Sequence, residues 1–223
     1  MNAQNFKSAG GIARVVLLFV VFASVVGFAQ STTAPASTQP AVYTSKLNNF
    51  TCPIPAMPGQ MKTSEAANES GAYVSFLDDM GSLLRIESLK IPADQAARFT
   101  GPDANKDYDA AFDQSLLPNE FKATSPDTTV AAREFVKTSA GEALFVAVNI
   151  PGGSTVAETT GPNPPHRPDS LRGVLIFRQH DYLYIVSNQE LPITQEIVKR
   201  TMVERTGMLQ RQLVDFVGGM SFR

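Results

Sequence analysis

The chain has 223 residues, 18% of them charged and 43% hydrophobic, and its formal net charge is −2 at pH 7. This length is sufficient to bury a substantial core, and the weak charge gives no long-range attraction for nucleic acid or anionic lipid. Because there is only one cysteine, an internal disulfide is excluded and stability must come from packing.

An apolar block at residues 15–28 follows a short segment that contains two basic residues and no acidic one. Gly27 and Ala29 place small side chains where signal peptidase requires them, so the pattern predicts an export signal at residues 1–29. The rival interpretation is an uncleaved membrane anchor, but 14 apolar residues fall short of the ~20 that span a bilayer. We therefore expect an exported protein, periplasmic or extracellular, with no transmembrane segment after cleavage.

The next segment, residues 30–47, is rich in Ser, Thr, Ala and Pro and has no apolar periodicity. Such a composition is typical of a flexible linker. No internal repeat or second linker follows, so residues 48–223 are predicted to form a single domain. Near its start lies Cys52, among apolar neighbours, and we interpret it as a small buried side chain. An intermolecular disulfide or a reactive thiol is the alternative.

Three pairs of apolar, β-branched segments predict three hairpins. The first pairs 72–77 with 83–91, the second pairs 130–137 with 142–150, and the third pairs 173–178 with 182–187. Six strands in hairpins indicate an antiparallel sheet. Its expected buried side chains are Phe76, Ile86, Phe135, Phe145, Val148, Leu175, Phe177, Leu183 and Ile185.

Two segments have a helical period. The first runs from Lys106 to Leu117 and is expected to stop at Pro118. The second is predicted from about Thr194 to Val217, with a left-handed cap at Gly218 and Gly219 and a short final strand beyond it. The apolar side of this second helix is expected to comprise Ile197, Val198, Thr201, Met202, Met208, Leu209, Leu213 and Phe216.

These elements predict an α+β fold: an antiparallel sheet of about six to seven strands in hairpins, covered by a long C-terminal amphipathic helix and a shorter central helix. The order of elements over residues 48–223 resembles the PsbP-like fold of photosystem II extrinsic proteins and their non-photosynthetic relatives. The resemblance is carried by the segment 50–58, the hairpin 71–91 and the last helix with residues 220–223. It implies a fold and at most a binding or accessory role, and it assigns no functional residue.

Acidic and amide side chains alternate at Asp103, Asn105, Asp107 and Asp109, as oxygen ligands do in an EF-hand loop. The match fails at the sixth position, which is Tyr108 instead of Gly, and at the twelfth, which is not Glu. A helix N-terminus, where acidic residues are favoured by the helix dipole, explains the same residues. These four positions are therefore weak candidates for a metal site, and we expect no bound metal.

About 20 residues without apolar periodicity, 151–170, interrupt the predicted sheet, and loops of this length often bind ligands. Gly152 and Gly153 give such a loop mobility, and His166 and Arg167 offer polar side chains. These four residues form a candidate binding loop. A plain surface insertion is the alternative.

The sequence shows no nucleophile elbow, phosphate loop, dinucleotide fingerprint or zinc spacing. We therefore expect no catalytic residue and no cofactor. The hypothesis that follows is an exported, non-catalytic binding or accessory domain of the cell envelope, with an unknown protein or small-molecule partner and no nucleic acid. The alternatives are an extracytoplasmic hydrolase whose carboxylates are brought together by folding, and a structural envelope protein.

Overall fold

The computed structural model describes residues 41–101, 103–155, 157, 167–190 and 199–223. The predicted export signal, the linker up to residue 40, His166, Ile197 and Val198 lie outside these ranges. No helix within the described ranges is both long enough and apolar enough to cross a membrane.

The architecture is α+β, as predicted, with two antiparallel sheets. The strands are β1 (Val42–Thr44), β2 (Phe50–Pro53), β3 (Met61–Asn68), β4 (Gly71–Asp78), β5 (Leu83–Lys90), β6 (Thr129–Thr138), β7 (Gly141–Ile150), β8 (Ser170–Gln179), β9 (Tyr182–Glu190) and β10 (Ser221–Phe222). The helices are a 3-10 helix (Ala93–Phe99), α1 (Ala104–Ala111), a π-helix (Phe112–Lys122) and α2 (Met202–Gly218).

The large sheet has seven strands in the order β3-β4-β5-β9-β8-β7-β6, and every neighbouring pair is antiparallel. It contains the three predicted hairpins and one further strand, β3. The small sheet, β1-β2-β10, was not predicted as a sheet. β1 lies inside the stretch expected to be a linker, because its β-branched and aromatic side chains pair with β2 and bring Tyr43 against the core. The folded part therefore begins before residue 48.

Both faces of the large sheet are covered. On one face, which we call the α2 face, the helix α2 and the small sheet enclose the main core. Gly173 allows the helix to approach, since a Cβ there would lie 2.7 Å from Asn188 Oδ1 and 3.1 Å from Leu209 Cβ. Aromatic rings join the small sheet to the large one, with the Tyr184 and Phe222 centroids 4.9 Å apart.

The other face, which we call the π face, is covered by α1 and the π-helix. Their buried side chains are Tyr108, Phe112, Leu116 and Phe121. The expected core residues divide between the two faces, and all of them are buried except Phe135, which is only partly buried. The reason is its place on the edge strand β6, where one side of the strand has no neighbour.

The central helical segment differs from the prediction at Pro118, which does not end it. The α-helical register changes to π at Phe112, and the π-helix then continues past the proline to Lys122. Proline removes one backbone N–H and costs about 3 kcal/mol inside a helix. Burial of Leu116 and Phe121, on either side of the proline, offsets that loss.

The C-terminal helix begins later than predicted, at Met202, because Thr201 and Glu204 form a capping box. Thr201 is thus a cap, and Met202 lies 41% exposed on the first turn instead of in the core. Leu209 and Leu213 are buried as expected, and Phe216 packs against the core while remaining partly exposed.

The predicted left-handed cap after this helix is wrong. Gly218 belongs to the helix, and Gly219 has a right-handed backbone with φ −91°. The second glycine serves close packing instead, since a Cβ at Gly219 would lie 3.1 Å from Pro53 Cγ. The chain can then turn directly into β10, which pairs with β2 and not with the large sheet.

The packing of α2 on the sheet gives a stability prediction. Leu213→Ala removes a fully buried side chain between α2 and the α2 face, and we expect it to lower the free energy of unfolding by ~2–5 kcal/mol. Arg211→Ala, on the exposed side of the same helix, should change it by less than about 0.5 kcal/mol. Urea unfolding of both variants measures this, and equal losses would mean that α2 does not cover the sheet.

Candidate functional site

Polar residues are concentrated at one end of the central strands of the large sheet. The last four residues of β9, Ser187 to Glu190, are all polar, although the strand lies between two neighbours and is covered on both faces. In the register of the sheet, Ser187 stands opposite Arg85 of β5, and Gln189 stands opposite Arg172 of β8. Three neighbouring strands therefore bring polar side chains together on the π face.

These side chains meet Glu120 of the π-helix and form a cluster that we call the Arg/Glu cluster: Arg85, Glu87, Glu120, Arg172 and Gln189. Arg85 Nε lies 2.9 Å from Glu87 Oε1, and Arg85 Nη1 lies 3.5 Å from Glu120 Oε1. Arg172 Nη1 lies 3.6 Å from the same Glu120 oxygen, and Arg172 Nη2 donates to Gln189 Oε1 at 2.7 Å.

Aromatic rings hold the two guanidinium groups in place. The Arg85 guanidinium lies 5.4 Å from the Tyr73 ring centroid, and that of Arg172 lies 5.7 Å from the Phe121 centroid. Both distances are within the range of cation–π attraction. The arginine positions are therefore set by two strands of the sheet and by stacking.

Most of the cluster is removed from solvent, although a third of the Arg85 side chain is exposed. Glu87 is 7% exposed, and burial raises its pKa to about 7, against the opposing effect of Arg85. The Glu120 carboxylate raises the pKa of Glu87 further, and Arg172 lowers it. Burial also lowers the pKa of Arg172. Burial therefore favours the neutral form of the Glu87 carboxyl, whereas an ordinary surface glutamate is ionised at neutral pH.

Buried polar atoms without a hydrogen-bond partner among the described residues are concentrated at the same end of the sheet. Six of the seven such atoms belong to β5, β8 and β9 there. Ser170 Oγ, Arg172 Nε and Gln189 Nε2 lie on the π face, whereas Asn188 Oδ1 and Glu190 Oε1 belong to side chains that contact α2 on the other face. The sixth atom, Arg85 Nε, lies 2.9 Å from Glu87 Oε1 but is not aligned for a hydrogen bond. Because an unpaired buried polar group costs ~1–3 kcal/mol, such a concentration requires an explanation.

The base of the candidate binding loop lies beside this cluster. Gly152 N donates to Asp169 Oδ1 at 3.0 Å, and Ser154 N donates to the carbonyl of Pro168 at 3.0 Å, so the two ends of the loop are joined. Thr155 Oγ1 donates to the Gly81 carbonyl in the β4–β5 turn. The loop base is thus attached to the turn that precedes β5.

The candidate residues of this loop differ in what they do. Gly152 takes a left-handed conformation, with φ 63°, in the turn after β7. A Cβ at Gly153 would lie 2.4 Å from Ile150 Cγ2, so this glycine allows close packing and does not provide mobility. Arg167 is exposed, and His166 is outside the described residues.

The four weak metal candidates do not converge, and three of them pair with cations. Asp103 pairs with Lys106 at 2.7 Å, and Asp107 pairs with Arg98 at 2.5 Å. Asp109 lies 3.2 Å from Arg133, and the Asn105 side chain is partly buried in the first turn of α1. Among the residues that the structure describes, no three His, Cys, Asp or Glu side chains form a group suited to a metal ion.

Cys52 is 1% exposed in the main core, which confirms the interpretation as a small buried side chain. Burial raises the pKa of its thiol to about 12. The thiol is therefore protonated at neutral pH and is a poor nucleophile.

A separate cleft of about 340 Å³ lies at the opposite end of the sheet. It is lined by Glu69, Ser70, Lys90, Ile91, Pro92, Ala93, Ala96 and Asp181. Glu69, Lys90 and Asp181 are exposed at its rim, and no unpartnered buried atom of the described residues belongs to it. The Arg/Glu cluster is the stronger candidate site.

The Arg/Glu cluster was not predicted from the sequence, although its strands carry a signal. Arg85 and Glu87 alternate with apolar residues in β5, and Arg172 interrupts the apolar start of β8. Charged residues on strands that are otherwise apolar indicate either an exposed face or a buried polar site. The structure shows the second.

Comparison with known proteins gives a likeness of fold. No protein-family model matches the chain, and neither does any curated protein. The solution structure of cyanobacterial PsbP (CyanoP) from Synechocystis sp. PCC 6803 is similar over 87% of this chain and 98% of its own, with 10% identity and a TM-score of 0.48. This agrees with the fold-level resemblance to PsbP.

A crystal structure from Bacteroides thetaiotaomicron VPI-5482 is similar over 83% of this chain, with 12% identity and a TM-score of 0.43. The match covers 49% of that protein, so this chain corresponds to about half of its length.

The raised pKa of Glu87 gives a prediction for stability against pH. The folded protein retains a proton on Glu87 that the unfolded chain releases above about pH 4.5. The contribution of Glu87 to the free energy of unfolding is therefore fully present at low pH and is lost as the pH rises through 7. The difference amounts to roughly 3 kcal/mol. Glu87→Gln, which cannot ionise, should gain stability relative to the wild type as pH rises from 5 to 8.

Urea unfolding at several pH values measures this difference, and Glu134→Gln on the exposed edge strand is the matched control. The control should follow the wild-type pH dependence. If Glu87→Gln also follows it, then Glu87 is ionised throughout in the folded protein, and the burial argument is wrong.

Proposed function

We propose that this chain is an exported, non-catalytic binding or accessory domain of the cell envelope, and that it binds its ligand at the Arg/Glu cluster beside the loop base. Export is supported by the apolar block at residues 15–28 and the small residues Gly27 and Ala29 that follow it. Binding is supported by one observation above all, the unpartnered buried atoms Ser170 Oγ, Arg172 Nε and Gln189 Nε2 on the π face at one end of the sheet.

Such atoms are the normal lining of a site whose occupant is another molecule. Buried polar groups in folded proteins nearly always have partners, in the protein or in bound water or ligand. The central strands place these groups on a rigid part of the fold, and the adjoining loop base and β4–β5 turn give the site a border of irregular structure. Loops arranged on a rigid sheet are a common setting for binding.

The geometry favours binding over catalysis. A general acid or base must reach the proton that it transfers, within about 3 Å or through one water. Glu87 has a pKa suited to this work but is 7% exposed and pairs with Arg85. The two arginines present N–H donors, which recognise a ligand by charge and hydrogen bonding without chemical change.

A hydrolase is the second candidate, and one observation favours it. Glu87 and Glu120 both contact Arg85, so folding brings two carboxylates together in unequal environments, as acid–base pairs require. Hydrolysis of chromogenic esters or glycosides by the wild type, lost in both Glu87→Gln and Glu120→Gln, would establish this candidate in place of the binding domain.

The export proposal predicts the N-terminus of the natural product. Sequencing of the protein isolated from its source organism should begin at Gln30 or within a few residues of it, because Ala29 precedes the expected cleavage point. An intact Met1 on a protein located outside the cytoplasm would show that residues 15–28 act as an anchor. An intact Met1 on a cytoplasmic protein would contradict export.

The binding proposal predicts that the protein carries a ligand when isolated from its own envelope fraction. Native mass spectrometry should find an added mass on the wild type that Arg85→Gln lowers at least several-fold, because Arg85 contacts two members of the cluster. Arg133→Gln is the matched control, since Arg133 also lies on a strand of the large sheet and pairs with acidic residues away from the cluster. Equal loss in both variants, or no added mass at all, would contradict the proposal.

A further inference from the structure

The Arg/Glu cluster has more hydrogen-bond donors than acceptors. Each guanidinium carries five N–H donors and no acceptor. The described acceptors that face them are single oxygens of Glu87, Glu120 and Gln189. Arg172 Nε and Gln189 Nε2 are buried and have no hydrogen-bond partner among the described residues. The missing component is therefore a group that offers several acceptor oxygens.

Glu120 shows what kind of group the arginines accept. Its Oε1 lies between the two guanidinium groups, 3.5 Å from Arg85 Nη1 and 3.6 Å from Arg172 Nη1. Charge-assisted N–H···O bonds are typically ~2.7–2.9 Å long, so this carboxylate is held loosely and by one oxygen only. A carboxylate that used both oxygens at normal distances would satisfy more of the donors than Glu120 does.

We propose that Arg85 and Arg172, together with Gln189, bind the carboxylate group of an organic-acid ligand, and that Glu120 occupies its place until the ligand arrives. This inference rests on the proposed binding function and assigns the chemical class of its ligand. In this arrangement Glu120 competes with the ligand carboxylate for the two arginines. It is carried by the π-helix, whereas the arginines are carried by strands.

The charge of the cluster supports an anionic ligand. Two arginines face Glu87 and Glu120, and Tyr73 stands opposite Glu87 on the neighbouring strand. Because burial raises the pKa of Glu87, that carboxyl carries less negative charge near neutral pH than a surface glutamate does. When Glu120 moves out, the remaining cluster carries a net positive charge that an added carboxylate neutralises.

The π-helix supports the replacement of Glu120. Long π-helices are rare, and their wide turns commonly occur at functional sites. Here the π register extends over 11 residues from Phe112 to Lys122 and includes Pro118, so its backbone hydrogen bonding is already irregular. Rotation of the Glu120 side chain would move its carboxylate away from the arginines while leaving Phe121 and the strands in place.

Acetate is the probe that tests this inference in the full-length chain. The midpoint of thermal unfolding is followed while acetate replaces chloride at constant ionic strength and pH. We expect a saturable rise for the wild type, and a half-saturating concentration about tenfold lower for Glu120→Gln, because the internal competitor is weakened. Arg85→Gln should abolish the response, and Arg133→Gln should leave it unchanged.

Arg85→Lys covers the case in which Arg85→Gln does not fold, as judged by circular dichroism. Lysine keeps the charge but lacks the planar fork that binds a carboxylate through two bonds, so its response should be weakened and not lost. If Glu120→Gln binds acetate no more tightly than the wild type, or if neither responds, the inference is overturned and water fills the site.

Inorganic phosphate forms the second arm of the experiment. Tighter saturable binding of phosphate than of acetate would overturn the carboxylate assignment in favour of a phosphate ligand. Recovery from the envelope of a ligand without a carboxyl group would also overturn it, while leaving the proposed binding function intact. Failure of that function would appear separately, as the absence of any added mass on the isolated protein.

Discussion

Coverage of the large sheet on both faces is the constraint on which the rest of this structure depends. Strands β9 and β8 lie at its centre, with α2 and the small sheet on one face and the π-helix on the other. Polar side chains at these positions are largely shielded from bulk water and need other hydrogen-bond partners. The Arg/Glu cluster forms because β5, β8 and the π-helix bring opposite charges to the place where β9 is polar.

Such a cluster is a costly way to stabilise a fold. Desolvation of buried charges costs several kcal/mol per ion, and well-packed apolar residues in the same volume are often as stable or more stable. The loose contacts of Glu120 and the unpartnered Nε atom of Arg172 make the balance here less favourable still. A surrounding core of Leu144, Val146 and Ile176 on the same face could have been continued with apolar side chains. The energetic argument therefore favours a role in binding over a role in stability.

Features of this structure that are determined by residues close in sequence could be predicted, and features that depend on tertiary packing could not. The three hairpins were predicted because each pairs apolar, β-branched segments across a short turn. Strand β3 was missed because it is an edge strand with mostly exposed side chains, so it has no apolar alternation. The π-helix was missed because packing of Leu116 and Phe121 outweighs the local effect of Pro118. Gly219 was read as a conformational signal although it serves close contact with Pro53.

The Arg/Glu cluster could not be predicted from local sequence, because its members come from four separated segments of the chain. Glu87 is brought to Arg172 only by the strand order β5-β9-β8, in which two sequence-distant hairpins become neighbours. Glu120 belongs to the π-helix, whose register is not predicted by local sequence rules. The arginines and their acidic partner are therefore carried by different elements. Because the strands fix the two arginines while the irregular π-helix carries their internal partner, that partner can be exchanged without disturbing the strand register on which the arginine positions depend.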